Sequence, residues 1–95
     1  MAYLLTHFWP GATEEEYFTT LEAVKEAAGG DLPEIVHASG PTEGGILIVA
    51  VYESKDLADR FLAETLMPLL PIEGGMAGPP EQREAQIAYG KGFAA

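Results

Sequence analysis

Two histidines are the residues best suited to chemistry here, because imidazole is the side chain that changes charge near neutral pH. His7 sits between Thr6 and Phe8, and His37 between Val36 and Ala38. Both fall in runs of β-forming residues. Side chains alternate along a strand, so Tyr3, Leu5, His7 and Trp9 share one face while Leu4, Thr6 and Phe8 share the other. The same parity groups Ile35, His37 and Ser39. A histidine lodged in an apolar strand can act as a general base or anchor a polar ligand. It can equally be satisfied by a cross-strand partner or at a subunit contact. His37 is slightly favoured, because Ser39 adds a second polar group on its face. Trp9 and Tyr52 close their strands, where large rings with one polar atom suit a pocket for an aromatic ligand or an interface. Tyr3, Tyr17 and Tyr89 are further phenols, and position alone does not separate pocket wall from core.

Other chemistries are poorly supported. The chain has no cysteine, which removes disulfides, thiolate nucleophiles and thiol-bound metals. Two histidines thirty residues apart lack metal-ligand spacing, so no metal is expected. Gly44-Gly45 and Gly74-Gly75 lack the phosphate-loop pattern and its lysine, and no Gly-x-Ser-x-Gly nucleophile motif occurs. No bound cofactor is expected. Fifteen acids against five bases give a formal charge of −10. Such a field repels phosphate backbones and anionic lipid, which argues against nucleic-acid and membrane partners. The blander account is that these acids keep an apolar-rich chain in solution. The apolar start is too short for a span and lacks a signal-peptide pattern, so a cytoplasmic location is the default expectation.

The elements follow from pattern and punctuation. Tyr3 to Trp9 reads as a strand stopped by Pro10-Gly11. Thr13 is an N-cap, Glu16 closes a capping box, and Glu14, Glu15 and Glu16 sit at the positive end of the helix dipole. Tyr17, Phe18, Leu21, Val24, Lys25 and Ala28 continue the apolar stripe to Gly29-Gly30. Glu34 to Ser39 reads as a second strand and Gly40 to Gly45 as a turn. Ile46 to Tyr52 is apolar at every position, the pattern of a strand covered on both faces. Ser54 caps a second helix with Leu57, Ala58, Phe61, Leu62, Thr65 and Leu66 on its apolar stripe, ended by Pro68 and Pro71. Pro71 to Pro80 reads as an irregular, mobile connection, Gln82 to Tyr89 as a last strand, and Gly90 to Ala95 as a loose tail.

This order, β-α-β-β-α-β, predicts a single α+β domain over residues 1–95. The fold expected is ferredoxin-like, a four-stranded antiparallel sheet with two helices on one face. Two helices cannot cover both faces of the Ile46–Tyr52 strand. A second copy of the chain, docked through the other sheet face, is the simplest cover. A 95-residue chain that is 47% hydrophobic points the same way, since small domains bury a modest fraction of their surface.

The segment Tyr3–Trp9 before Thr13-Glu14-Glu15-Glu16, and Ile46–Ser54 leading into Asp59-Arg60-Phe61, resemble the dimeric α/β-barrel superfamily. That group includes antibiotic-biosynthesis monooxygenase-like proteins, stress-responsive barrel proteins and small polyketide cyclases. The resemblance implies a homodimer with a small pocket between sheet and helices in each copy. It also implies a cofactor-independent monooxygenase, isomerase or cyclase acting on an aromatic or polyketide-like metabolite. In that reading His37 or His7 is the base, and Tyr52, Trp9, Ser39 and Phe61 contact the substrate. A ligand-binding or stress-response module without catalysis, or a purely structural dimer, are the alternatives. Cyclases of the group commonly carry a histidine near the end of the second helix. Glu64-Thr65-Leu66-Met67-Pro68 has none, which departs from that cyclase pattern.

Overall fold

A computed structural model describes residues 2–92, so the expected tail reaches beyond it at positions 93–95. The element order is β1 (Tyr3–Pro10), α1 (Glu14–Ala27), β2 (Val36–Thr42), β3 (Gly45–Tyr52), α2 (Lys55–Phe61), a π-helical turn (Leu62–Leu66), α3 (Met67–Leu69) and β4 (Glu81–Gln86). The strands form one antiparallel sheet in the order β2-β3-β1-β4. This is the ferredoxin-like α+β arrangement that the alternation of strands and helices predicted.

α1 begins as its sequence dictates. Thr13 Oγ1 accepts from the Glu16 N–H at 3.2 Å, and Glu16 Oε1 accepts from the Thr13 N–H at 2.9 Å. That reciprocal pair satisfies two orphan donors at the helix start. The helix ends where Gly29 and Gly30, both at positive φ, turn back to bond the carbonyls of Glu26 and Lys25. Tyr17, Thr20 and Val24 are its buried positions. Phe18, expected on the stripe, lies off it and is 54% exposed. It stacks edge-on against Tyr17 with ring centroids 5.3 Å apart.

β1 is the central strand, paired along its length with β3 and with β4. Its alternation is strict: Tyr3, Leu5, His7 and Trp9 are buried, while Leu4, Thr6 and Phe8 are half-buried. The opposing β3 residues Ile46, Ile48, Ala50 and Tyr52 are buried too. The inward face forms two apolar clusters. Tyr3, Leu5, Ala50, Tyr52 and Ala58 gather at one end with Phe61 and Leu62 against them. Trp9, Tyr17, Ile46, Ile48 and Met76 gather at the other.

Three expectations are corrected. β2 runs on through Gly40 and Pro41 to Thr42, and the turn shrinks to Glu43 and Gly44. β2 is an edge strand, where a proline's missing N–H costs no ladder bond. Gly45 then has to approach β1 closely: a Cβ there would lie 2.1 Å from the Trp9 carbonyl oxygen. Pro68 does not end the second helical segment. The ring of a helical proline collides with the carbonyl four residues back, and widening Leu62–Leu66 into a π turn lets the helix pass to Leu69. β4 stops at Gln86, short of Tyr89, and Tyr89 is 82% exposed. The outward face of β3 is only partly covered within the chain, as two helices on the other face imply: Leu47 is 43% exposed and Val49 half-buried, while Val51 is buried.

The connection from Pro71 to Pro80 has no regular structure, yet it is pinned. Met76 is buried, and its N–H donates to Thr20 Oγ1 at 2.9 Å. A Cβ on Gly75 would lie 2.5 Å from that same oxygen, so the chain approaches α1 too closely for a side chain.

Candidate functional site

Between the two apolar clusters the inward face of the sheet turns polar, and a cavity of about 60 Å³ opens there. His7, Tyr17, Glu34, His37, Trp9 and Tyr52 contribute to its wall, with apolar side chains between them. A second space of about 360 Å³ adjoins it beneath the Pro71–Pro80 connection, and His7, Trp9, Leu66 and Met76 line both. The outer space falls within the range that small-molecule sites occupy. The inner one holds a few waters or one polar substituent.

His37 is held by a chain of hydrogen bonds. Its Nδ1 is 2.7 Å from Glu34 Oε2, and its Nε2 is 2.8 Å from the Tyr17 hydroxyl. Ser39 Oγ donates to the same hydroxyl at 2.7 Å. With Nδ1–H donating to the carboxylate, Nε2 is left as the acceptor for the Tyr17 O–H, a carboxylate–imidazole–phenol relay. Register explains the meeting: His37 pairs with Ala50 and Ser39 with Ile48, so both project to the inward face. Tyr17 comes across from the first turns of α1, and Glu34 from the segment just before β2. The Tyr17 and His37 rings lie nearly parallel, 22° apart, with centroids separated by 6.4 Å.

Burial of the Tyr17 ring raises the pKa of its hydroxyl, the Ser39 hydrogen bond lowers it, and the Glu34 carboxylate raises it. Burial dominates, so the phenol keeps its proton. Burial likewise raises Tyr52, with Glu34 adding to the effect. His7 is pushed the other way. Desolvation lowers its pKa, opposed by a hydrogen bond to Gln82 and by Glu34, while His37 lowers it further. The His7 Nε2 and Gln82 Oε1 lie 3.1 Å apart, a cross-strand pair fixed by the β1–β4 register. A buried, neutral imidazole beside an apolar space is competent to accept a proton at neutral pH.

Among the described residues, two buried polar atoms in this wall have no hydrogen-bond partner. The indole Nε1 of Trp9 and the Oε1 of Glu34 are both buried without a hydrogen bond. The Glu34 side chain is 5% exposed and Trp9 is 2% exposed.

Of the residues singled out from sequence, His7, His37, Trp9, Tyr52 and Phe61 line the inner cavity. Ser39 reaches it through Tyr17 rather than directly. Sequence reasoning missed two members. Tyr17 read as one more apolar stripe residue, and Glu34 as one acid among many. The available signal was the spacing of Glu34 and His37, three residues apart at a strand entry, where a carboxylate can hold the imidazole.

The surroundings agree with comparisons to known proteins at the level of fold. No family model matches the sequence, and no curated protein matches it. Three solved structures share the architecture across nearly the whole chain. A proposed antibiotic biosynthesis monooxygenase from Chloroflexus aurantiacus J-10-fl superposes with a TM-score of 0.66 at 16% identity, covering 99% of this chain and 100% of its own. The N63A mutant of SnoaB, a cofactor-independent oxygenase from Streptomyces nogalater, gives 0.61 at 12% identity, covering 95% of each chain. Rv0793 from Mycobacterium tuberculosis gives 0.62 at 10% identity, covering 96% and 98%. The chain therefore has the fold of the antibiotic-biosynthesis monooxygenase-like proteins, as the resemblance implied. Among the described residues no helix is long and apolar enough to cross a membrane.

The lowered pKa of His7 links the site to stability. In the unfolded chain this imidazole takes a proton near pH 6.5, whereas in the folded chain it resists until lower pH. Between those two values the unfolded state binds more protons, so stability falls as the pH is lowered through the window and is unaffected above it. The loss is about 1.4 kcal/mol for each pH unit by which the folded value lies below 6.5. Replacing His7 by Gln should flatten the fall in urea-unfolding free energy between pH 7.5 and pH 5. Equal slopes in the variant and the parent would show that His7 does not titrate this way.

Proposed function

We propose that this chain is a small-molecule enzyme that carries out proton abstraction in an apolar cavity, without a bound cofactor, on an aromatic or polyketide-like substrate. The observation that carries the proposal is the pairing of a neutral buried imidazole, His7, with the Glu34–His37–Tyr17 relay around one cavity. His7 acts as the base. Tyr17 keeps its proton and turns it from His37 Nε2 to the substrate oxygen on which negative charge develops, while Ser39 Oγ still donates to the phenol oxygen and holds it in place. Trp9, Tyr52 and Phe61 offer flat or apolar surface to the ring.

Such a carbanion can react with O2 directly. A substrate methylene loses a proton to His7, and the carbanion passes an electron to O2. The resulting radical pair joins in a C–O bond, and the hydroperoxide then loses water to leave a ketone. The overall change is CH2 plus O2 to C=O plus H2O, so no external reductant is required. The likeness in fold to SnoaB, described as a cofactor-independent oxygenase, supports this direction. Aromatic ketones with an acidic methylene, anthrone among them, should raise O2 uptake in the presence of the protein and of a metal chelator. His7→Ala should lower the rate about 100-fold or more, and Tyr17→Phe about tenfold. Uptake unchanged in both variants would sink the roles given to His7 and Tyr17, and binding with no product on long incubation would replace the enzyme by a ligand-holding module.

The working form in this proposal is a homodimer joined through the outward face of the sheet. Leu47, Val49, Leu4, Phe8 and Ala38 give that face an apolar character, and among the described residues no helix lies on it. A surface of this kind is unusual on a small monomer. Leu47→Asp places a charge in the contact and should shift the mass measured by light scattering from twice the chain mass to one. A wild-type protein that is monomeric at tens of micromolar would contradict the dimer.

A further inference from the structure

Two unpaired buried polar atoms on residues that line one cavity are costly, because each has given up water without gaining a partner. Here one is a donor, the Trp9 Nε1–H, and the other an acceptor, Glu34 Oε1. They come from different elements, β1 and the segment before β2, and both residues line the inner cavity. Three other polar groups of the wall are engaged by protein partners. Glu34 Oε2 holds His37, Tyr17 is shared by Ser39 and His37, and the His7 Nε2 is taken by Gln82.

We infer that Glu34 and Trp9 are a recognition pair for a ligand carrying one hydroxyl donor and one carbonyl acceptor on an otherwise apolar frame. The hydroxyl donates to Glu34 Oε1, and the carbonyl oxygen accepts from the Trp9 indole. The size of the two spaces divides the ligand. The inner cavity, about 60 Å³, admits a polar edge but not a ring system. The outer space, about 360 Å³, receives the apolar body between Leu66, Met67, Met76 and Pro79. Trp9 borders both, so its indole N–H can address the polar edge while the ring lies against the body. Discrimination follows from the site's own unpaired groups: a ligand lacking the hydroxyl or the carbonyl leaves one of them buried and unsatisfied. This inference rests on the cavity being the substrate site proposed above, and it assigns Glu34 and Trp9 to specificity rather than to proton transfer.

A matched set of four bicyclic probes tests it. These are 7-hydroxy-1-tetralone, with both groups on one edge; 1-tetralone, with the carbonyl; 5,6,7,8-tetrahydro-2-naphthol, with the hydroxyl; and tetralin, with neither. Trp9 is the single tryptophan of the chain, so its fluorescence reports binding directly. Calorimetry serves where the tryptophan is replaced. The hydroxy-ketone should bind about tenfold more tightly than either single-group probe, and tetralin most weakly. Glu34→Ala should erase the advantage conferred by the hydroxyl while keeping that of the carbonyl. Trp9→Phe keeps an aromatic ring but lacks the N–H, and should erase the advantage of the carbonyl alone. Circular dichroism melts of both variants show whether the fold survives. If either fails to fold, the ranking of the four probes on the wild-type protein decides.

Equal affinity for all four probes would overturn the inference and mean that water alone satisfies the two atoms. A preference that persists unchanged in both variants would overturn it as well. Failure of the enzyme reading looks different: the probes would rank as expected, while no O2 uptake or exchange of substrate C–H protons occurred.

Discussion

Everything in this molecule depends on the antiparallel register of β1 with the strands on either side. Residues two apart on a strand share a face, and a slip of one residue would send every side chain of β1 to the opposite side. The register sets Leu5 against Ala50, His7 against Ile48, and Trp9 against Ile46. On the other edge it sets His7 against Gln82. One alternation therefore builds the core, delivers His7 and Trp9 to the cavity, and leaves Leu4, Thr6 and Phe8 on the outward face. The two faces of a single sheet acquire different work from the same run of residues.

The polar centre of the inward face comes at a cost in stability. Burying a hydroxyl, an imidazole and a carboxylate among apolar side chains is unfavourable unless each finds a partner. Most do, through the Glu34–His37–Tyr17–Ser39 chain and the His7–Gln82 pair. The two atoms that do not, on Trp9 and Glu34, border the cavity rather than the packed clusters at its ends. A core optimised for stability alone would close that gap with a methyl group. The Pro71–Pro80 connection reinforces this reading, since Thr20 and the buried Met76 hold it as a wall over the outer space.

Much of the fold was legible because it rests on local signals. The capping box at Thr13, the strand parity of β1 and the apolar run Ile46–Tyr52 each fix an element from a few neighbouring residues. The course of the chain at Pro68 was not legible. Proline normally stops a helix, and whether a π turn absorbs it depends on the surrounding structure. The extent of β2 was obscured in a similar way, since Gly40-Pro41 is turn chemistry except at a sheet edge. For the site, the inward direction of His7, His37, Ser39 and Trp9 followed from parity. Tyr17 joined them only through the crossing of α1 over the sheet, a tertiary fact that composition does not express, whereas Glu34 joined from the segment before β2, three residues from His37. The apolar pattern of β3 predicted cover on both faces, and the chain itself supplies it on the inward face and, on the outward one, at Val51 but not at Leu47.

The central claim is that the inward face of the sheet receives a small molecule while the outward face does not. Chemical-shift mapping by NMR on isotope-labelled protein tests this most directly, with 7-hydroxy-1-tetralone added stepwise. The account predicts that the Trp9 indole N–H, the His7 and His37 ring signals and the Met76 methyl move together along one binding curve. The Leu47 and Val49 methyl signals should stay in place. Shifts confined to Leu47, Val49 and Phe8, with Trp9 and both imidazoles unmoved, would contradict it.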